Sequence, residues 1–282
     1  MDEALEIQKR IYRKKKVLPG FGITFGFMML YLSLIILIPL STIFINTAGI
    51  SWNEFWKIVT NERVMQAYKL SFGASFIAAL FDSVFGFLIA WVLVKYDFPA
   101  KRIVDSIVDL PFALPTAIAG ISLTTVFASN GWLGSFLSDL GINVIFTEVG
   151  IIIAMTFIGL PFVVRTVQSV LEDFDKEVEE AAATLSANRW QIITKIIFPG
   201  IRPALITGTT LAFARALGEY GSIVFISGNL PLKTEIAPVL IMSKLEQYDY
   251  AGATAISIVM LLASFILLFA INMIQWWSTR HK

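Results

Sequence analysis

The stretch EEAAATLSANRWQ, residues 179–191, is polar and rich in alanine. It lies between two of the most apolar runs in the chain, IIIAMTFIGLPFVV (151–164) and ALITGTTLAFA (204–214). A water-facing segment between such runs reads as a loop joining two helices that are themselves not solvated by water. The rest of the chain repeats the pattern. Its apolar residues cluster in runs of about 20, the length that crosses about 30 Å of hydrocarbon as a helix. Six runs are predicted, at 21–45, 67–94, 103–127, 149–170, 204–226 and 251–276. They are continuous, unlike the roughly 10-residue alternating strands of a barrel. Of the 282 residues, 56% are hydrophobic and 15% charged, against about 25% charged in soluble domains. The expected fold is an all-α polytopic membrane protein with six transmembrane helices.

Charge then sets orientation, because cytoplasmic loops collect Lys and Arg. Lys9, Arg10, Arg13, Lys14, Lys15 and Lys16 precede the first run. Lys95, Lys101 and Arg102 follow the second; Arg165, Lys176, Arg189, Lys195 and Arg202 surround the polar loop; Arg280 and Lys282 end the chain. The opposite side holds only Lys57, Arg63, Lys69, Lys233 and Lys244. Both termini and the 179–191 loop are therefore expected to be cytoplasmic. The expected organisation is a basic N-terminus at 1–20, a first helix at 21–45 and a main transmembrane domain at 67–272. The first run is too long for a signal peptide and lacks a small-residue cleavage site. On the outer side, SWNE (51–54) fits a capping box, and Trp52, Phe55, Trp56 and Val59 share one helical face at headgroup depth. GWLGSFLSDLG reads the same way, and the 228–250 loop is expected to be an outer gate or docking surface.

The polar loop has its own start and stop signals. Asp173 and Asp175 suit a helix start, with Glu177, Glu179 and Glu180 in the early turns. Val178, Ala181, Ala182 and Leu185 fall on one face. Asn188 and Gln191 fit the cap of a second helix, expected to end at the breaker pair Pro199-Gly200. A small, weakly apolar helix suits the groove of a partner, while a plain connector is the bland alternative.

Two further segments place polar or breaking residues inside apolar runs. Arg215 and Glu219 in FARALGEYG share a face, either as an ion pair locking the helix or as charges on a substrate path. Gly218 and Gly221 permit close approach or a bend. In DLPFALPT, Pro111 and Pro115 each remove a backbone donor, and Thr116 offers a hydroxyl. Such breaks are tolerated at depth only where buried or lining a cavity, so a kink and a path are both open. Asp105 and Asp109 are expected near the cytoplasmic surface, and Asp82 turned into the bundle.

The spacing Glu180-Ala181-Ala182, three residues, Ser186, nine residues, Ile196, one residue, Phe198-Pro199 resembles the EAA loop of binding-protein-dependent ABC-importer permeases. That pattern runs E-A-A-x3-G-x9-I-x-L-P; Ser186 replaces the Gly and Phe198 the Leu. The resemblance implies the type I importer permease fold and a coupling helix held in a groove on a cytoplasmic ATPase. Carried over, Glu180, Ala181, Ala182, Ser186 and Pro199 are ATPase-coupling residues; Arg215, Glu219, Pro111, Pro115 and Thr116, read from their own chemistry, are the candidates for the path or gate. DLPFALPTAIAGI, LPFVVRTVQSVLED and FARALGEYGSIVFISGNLPLKTE further resemble the sulfate/thiosulfate branch of the family; the molybdate/tungstate permeases are the near alternative. The implied partners are an ABC ATPase dimer, a second permease subunit, an extracytoplasmic sulfate-binding protein and the lipid bilayer, with no nucleic acid and no cofactor. The implied location is a bacterial inner membrane, or else a plastid envelope.

An enzyme is not expected. No Gly-Lys dipeptide occurs, so no Walker A loop. There is no cysteine, and the one histidine is His281. That leaves only aspartyl chemistry at Asp82, Asp105 or Asp109. An ATP-independent channel or carrier would have no use for a docking helix. If position 186 needs a left-handed backbone, serine there costs on the order of 1 kcal/mol more than glycine.

Overall fold

The computed structural model describes residues 20–280, and the side chains of all of these except 176 and 274–280. The basic cluster at 9–16, His281 and Lys282 lie outside the described residues. No strand occurs among the described residues. The chain forms two units, Met1–Ile50 and Ser51–Lys282. In the first, α1 (Phe21–Ala48) is a single apolar helix that buries none of its residues.

The second unit opens with α2 (Trp52–Val59). Ser51 caps it by accepting the Glu54 N–H at 3.3 Å. Its rings stack as expected, Trp52 on Phe55 and edge-on to Trp56, both tryptophans exposed and Val59 buried. Three long helices form the centre: α3 (Glu62–Lys95), α8 (Glu148–Glu172) and α10 (Arg189–Leu217). Between α3 and α8 lie α4 (Lys101–Val108), α5 (Leu110–Ala113), α6 (Thr116–Phe127) and the short α7 (Gly134–Asp139). Between α8 and α10 lies α9 (Lys176–Thr184). Then come α11 (Ile223–Ile226), α12 (Ala237–Glu246) and α13 (Tyr250–Arg280).

Small residues let the three central helices touch. The buried stripe of α3 is Ser71, Ser75, Ala78, Asp82, Gly86 and Ala90, spaced three or four apart. In α10 it is Ala204, Gly208, Ala212 and Ala216. Where lipid tails are as apolar as leucine, such stripes drive association through close backbone packing. Val163 of α8 is the shared knob. A Cβ on Gly86 would sit 2.8 Å from its Cβ, and one on Gly208 2.9 Å from its Cα. Asp82 is fully buried in this stripe against Gly159 of α8, as expected from its position.

Three expectations about the helices need correction. The run at 103–127 is not one helix but α4, α5 and α6, so among the described residues five helices, where six were expected, are each long and apolar enough to cross a membrane. Pro111 sits in the opening turn of the one-turn α5, and the chain is extended at Leu114 before Pro115 restarts it, because the residue before proline is pushed out of the helical region. The run at 204–226 also breaks: α10 stops at Leu217, and α11 resumes after Ser222. Conversely, the helix after Asn188 does not end at Pro199-Gly200. A π turn at Ile193–Ile197, where the Phe198 N–H reaches the Ile193 carbonyl, carries the helix onward. The same device precedes Pro39 in α1, at Ser33–Leu37. One inserted residue shifts the register ahead of a proline whose ring would otherwise clash with the preceding turn. Gly200 then leaves room for the Phe174 ring, 2.7 Å from where a Cβ would stand.

The 228–250 loop is also more integrated than its composition suggests. Ile236, Ala237, Val239 and Leu240 are buried in the core, and Ala237 donates its N–H to the Ser71 hydroxyl of α3. Glu235 forms a two-bonded pair with Arg63, both contacts 2.6 Å.

Candidate functional site: a polar helix at one end and two broken helices

The 173–200 loop folds as two capped helices. Asp175 accepts the Glu177 N–H at 2.9 Å to start α9. Asn188 and Gln191 form a reciprocal capping box that starts α10. Between them, Ser186 sits at φ +63°, the left-handed region. Its N–H reaches the Ala183 carbonyl, and the Ala187 N–H reaches that of Ala182. These two bonds are a Schellman ending with serine in the position that normally falls to glycine. The backbone requirement behind the expected glycine is therefore present, and the serine carries its strain. Ser186→Gly is expected to stabilise the turn by about 1 kcal/mol. A melting temperature higher by roughly 2–4 °C in detergent would register it; an unchanged or lower value would refute the strain.

The apolar face expected on α9 divides. Of its four residues only Ala182 is buried. Val178 and Ala181 are exposed, Leu185 is 83% exposed, and Trp190 beyond the turn is 72% exposed. Glu180 is exposed as well. The tip thus presents an apolar pair, an alanine and a carboxylate away from the protein. Glu179, one residue earlier, points back and pairs with Lys95 at the end of α3, whose ammonium also lies 5.9 Å from the Trp91 ring centre. This anchor was not singled out from sequence. Lys95 lies 84 residues away, and nothing local links the two.

The broken helices meet. Glu219, 2% exposed, accepts from Arg215 Nη1 at 2.5 Å. Its other oxygen accepts the Ser222 N–H at 3.0 Å and hydroxyl at 3.1 Å. The carboxylate is a clip across the gap between α10 and α11. Arg215 lies in the last turn of α10, where a cation suits the helix dipole. Against this gap stands the start of α6. A Cβ on Gly221 would collide with the Thr116 hydroxyl, and one on Gly120 would lie 2.7 Å from the Ser222 Cα. Thr116 therefore adjoins the 219–222 gap, as does the proline break that precedes it. Pro111 lies a turn further back, and Phe112 of α5 packs edge-on against Phe162 of α8 at 5.1 Å.

Arg165 fastens this segment. It donates to Asp109 through Nε (2.8 Å) and Nη2 (2.6 Å), to Asp105 Oδ1 (2.5 Å), to the Asp105 carbonyl (2.8 Å) and to Gln168 (2.7 Å). Asp105 and Asp109 are thus committed to one guanidinium, and Asp82 lies apart on α3. The three aspartates do not assemble a catalytic pair.

Comparisons agree with this architecture. The family profile described as "Binding-protein-dependent transport system inner membrane component" matches residues 82–280. The sulfate transport system permease protein CysT of Escherichia coli K12 is 46% identical over 261 residues, covering 93% of this chain and 94% of its own. Its counterpart from Synechococcus elongatus is 49% identical over 256 residues, with 91% and 92% covered. The probable sulfate transport system permease protein cysT of Nephroselmis olivacea is 49% identical over 247 residues, with 88% and 87% covered. Among solved structures, a bacterial ABC transporter that imports alginate superposes with TM-score 0.76 over 96% of this chain and 98% of that one, at 18% identity. A chain of the MetNI methionine transporter superposes with TM-score 0.56. The fold is that of an ABC importer permease, and the chain belongs to the binding-protein-dependent transport system inner membrane components.

Proposed function

We propose that this chain is the membrane-spanning subunit of an ATP-driven importer of sulfate or thiosulfate. The observation that carries the substrate is 46–49% identity, over about nine-tenths of the chain, to permeases named for sulfate transport. It is a transport subunit and not an enzyme; ATP hydrolysis belongs to a separate ATPase dimer. The exposed tip formed by Glu180, Ala181, Leu185, Ser186 and Trp190 docks on that ATPase, with Ala182 and Glu179 holding α9 to the bundle and Pro199 lying in the helix that leads away. A second permease completes the path, and a binding protein delivers the anion at the opposite end. The termini and α9 lie on the ATPase side of a bacterial inner membrane.

The path itself runs past the meeting of the broken helices. Arg215 supplies charge, and the start of α6 at Thr116 supplies unpaired N–H groups of the kind that attract anions. Few strong ligands suit a path that must release its cargo. The deciding experiment is uptake of labelled sulfate by vesicles holding the whole complex, with excess unlabelled competitor. Sulfate and thiosulfate are expected to compete and molybdate to do so weakly. Preferential block by molybdate would transfer the chain to the molybdate/tungstate branch, and uptake without ATP would make it a carrier.

A further inference from the structure

A cavity of about 250 Å³ opens at the end of the bundle opposite α9. Its walls come from three elements. α3 contributes Gln66 and Lys69, with Gly73 one turn deeper. α8 contributes Glu148 in its first turn, and the loop before α12 contributes Lys233. Both lysines are exposed, and neither forms an ion pair among the described residues. The second carboxylate at the cavity, Glu235, is already neutralised by Arg63. Two ammonium groups thus face one uncommitted carboxylate.

The loop that carries Lys233 is held in an unusual backbone. Asn229 (φ +49°) and Leu232 (φ +64°) are both left-handed without being glycine. Thr234 locks them: its hydroxyl donates to the Ser227 carbonyl at 2.6 Å and accepts the Leu230 N–H at 3.1 Å. Ser227, Thr234 and Glu235 are all buried. Strain of this kind persists only where the surroundings over-determine it, and it gathers at ligand sites. The volume lies below the roughly 300–1,000 Å³ of pockets that enclose organic ligands, which suits an ion.

We propose that this cavity binds a tetrahedral oxyanion, with Lys69 and Lys233 as its cationic walls, and that it receives the anion before the path proper. The inference rests on the oxyanion-importer reading above. An anionic lipid phosphate has the same chemistry, so the test separates the two sources. The whole complex is placed in vesicles of phosphatidylcholine alone, or with phosphatidylglycerol added. Modification of Lys69 and Lys233 by an amine-acylating reagent is followed by peptide mass mapping, with sulfate or with chloride at equal ionic strength. Sulfate, and not chloride, is expected to protect both lysines several-fold in phosphatidylcholine. Protection that needs phosphatidylglycerol and ignores sulfate would reassign the site to a lipid headgroup and overturn its place before the path. Equal modification in every condition would overturn the site. As a second arm, Lys69→Gln/Lys233→Gln is expected to lower sulfate uptake several-fold and to flatten its dependence on ionic strength, whereas Glu148→Gln, which removes the one uncommitted carboxylate from the same wall, is expected to raise it. Wild-type uptake by the double variant would remove the site from transport. ATP-dependent sulfate uptake by the unmodified complex is read separately, so the importer reading stands or falls without the cavity.

Discussion

Glu180→Lys is expected to abolish sulfate uptake while leaving the chain inserted and the ATPase subunits able to hydrolyse ATP. The geometry separates two acidic neighbours with different work. Glu179 turns inward to Lys95 and holds α9 against α3. Glu180 turns outward, among the exposed Ala181 and Leu185. Reversing its charge leaves the Asp175 cap, the Schellman turn and the Lys95 anchor in place. What changes is the surface offered to the ATPase. A like charge placed against a docking partner costs several kcal/mol, and every 1.4 kcal/mol is about tenfold in occupancy. Uptake should therefore fall by roughly a hundredfold or more at equal membrane abundance. Glu179→Gln makes the useful contrast. Its pair with Lys95 is about a quarter exposed on each side, and pairs of that kind contribute around 1 kcal/mol or less. That variant should lose only a few-fold. Normal transport by Glu180→Lys would remove α9 from the coupling role, and a larger loss from Glu179→Gln would mean that the inward anchor, not the outward carboxylate, carries the coupling.

How much of this was legible in the sequence depends on whether the deciding contact was local. The caps at Ser51, Asp175 and Asn188 were legible because a capping oxygen and the N–H that donates to it lie within three residues. The left-handed turn at Ser186 was legible as a conditional, since the pattern named the position and physics named the strain. The Arg215–Glu219 pair was legible because four residues apart on a helix is a contact. The π turns were not, because a proline near a glycine reads as a stop unless a register shift rescues it, and no side chain announces that shift. The Lys95–Glu179 anchor, the Arg165 clamp and the packing of Gly120 on Ser222 join residues 50 or more positions apart; only the assembled bundle reveals them. The docking face was half legible. Helical periodicity put Val178, Ala181, Ala182 and Leu185 together, but it could not tell that Ala182 alone would turn inward. The outer lysines were counted for topology, and their meeting at one cavity required the strained loop that carries Lys233.

Arg215→Ala is expected to reduce uptake strongly, and the structure supplies two separable reasons. The first is stability. Removing the guanidinium leaves the Glu219 carboxylate, 2% exposed, with only the two Ser222 donors. Truncating one partner of a fully buried pair costs about 3–5 kcal/mol. Here the arginine side chain is 34% exposed, so the pair is not fully buried, which brings the expected loss down to about 1–3 kcal/mol. The second reason is charge on the anion's route. Arg215→Ala/Glu219→Gln separates them. Neutralising the glutamate removes the unpaired buried charge and keeps an acceptor for the Ser222 N–H, so much of the lost stability should return. If Arg215 serves only to balance Glu219, uptake should return with it. If Arg215 also meets the anion, uptake stays low in the stable double variant. The second outcome is expected, because the pair stands where the end of α10 meets the start of α6 and the guanidinium keeps surface that the bundle does not cover, while the carboxylate is buried. Melting temperature in detergent and sulfate uptake in vesicles, measured on the same preparations, decide between them; full recovery of both in the double variant would confine Arg215 to holding the gap between α10 and α11.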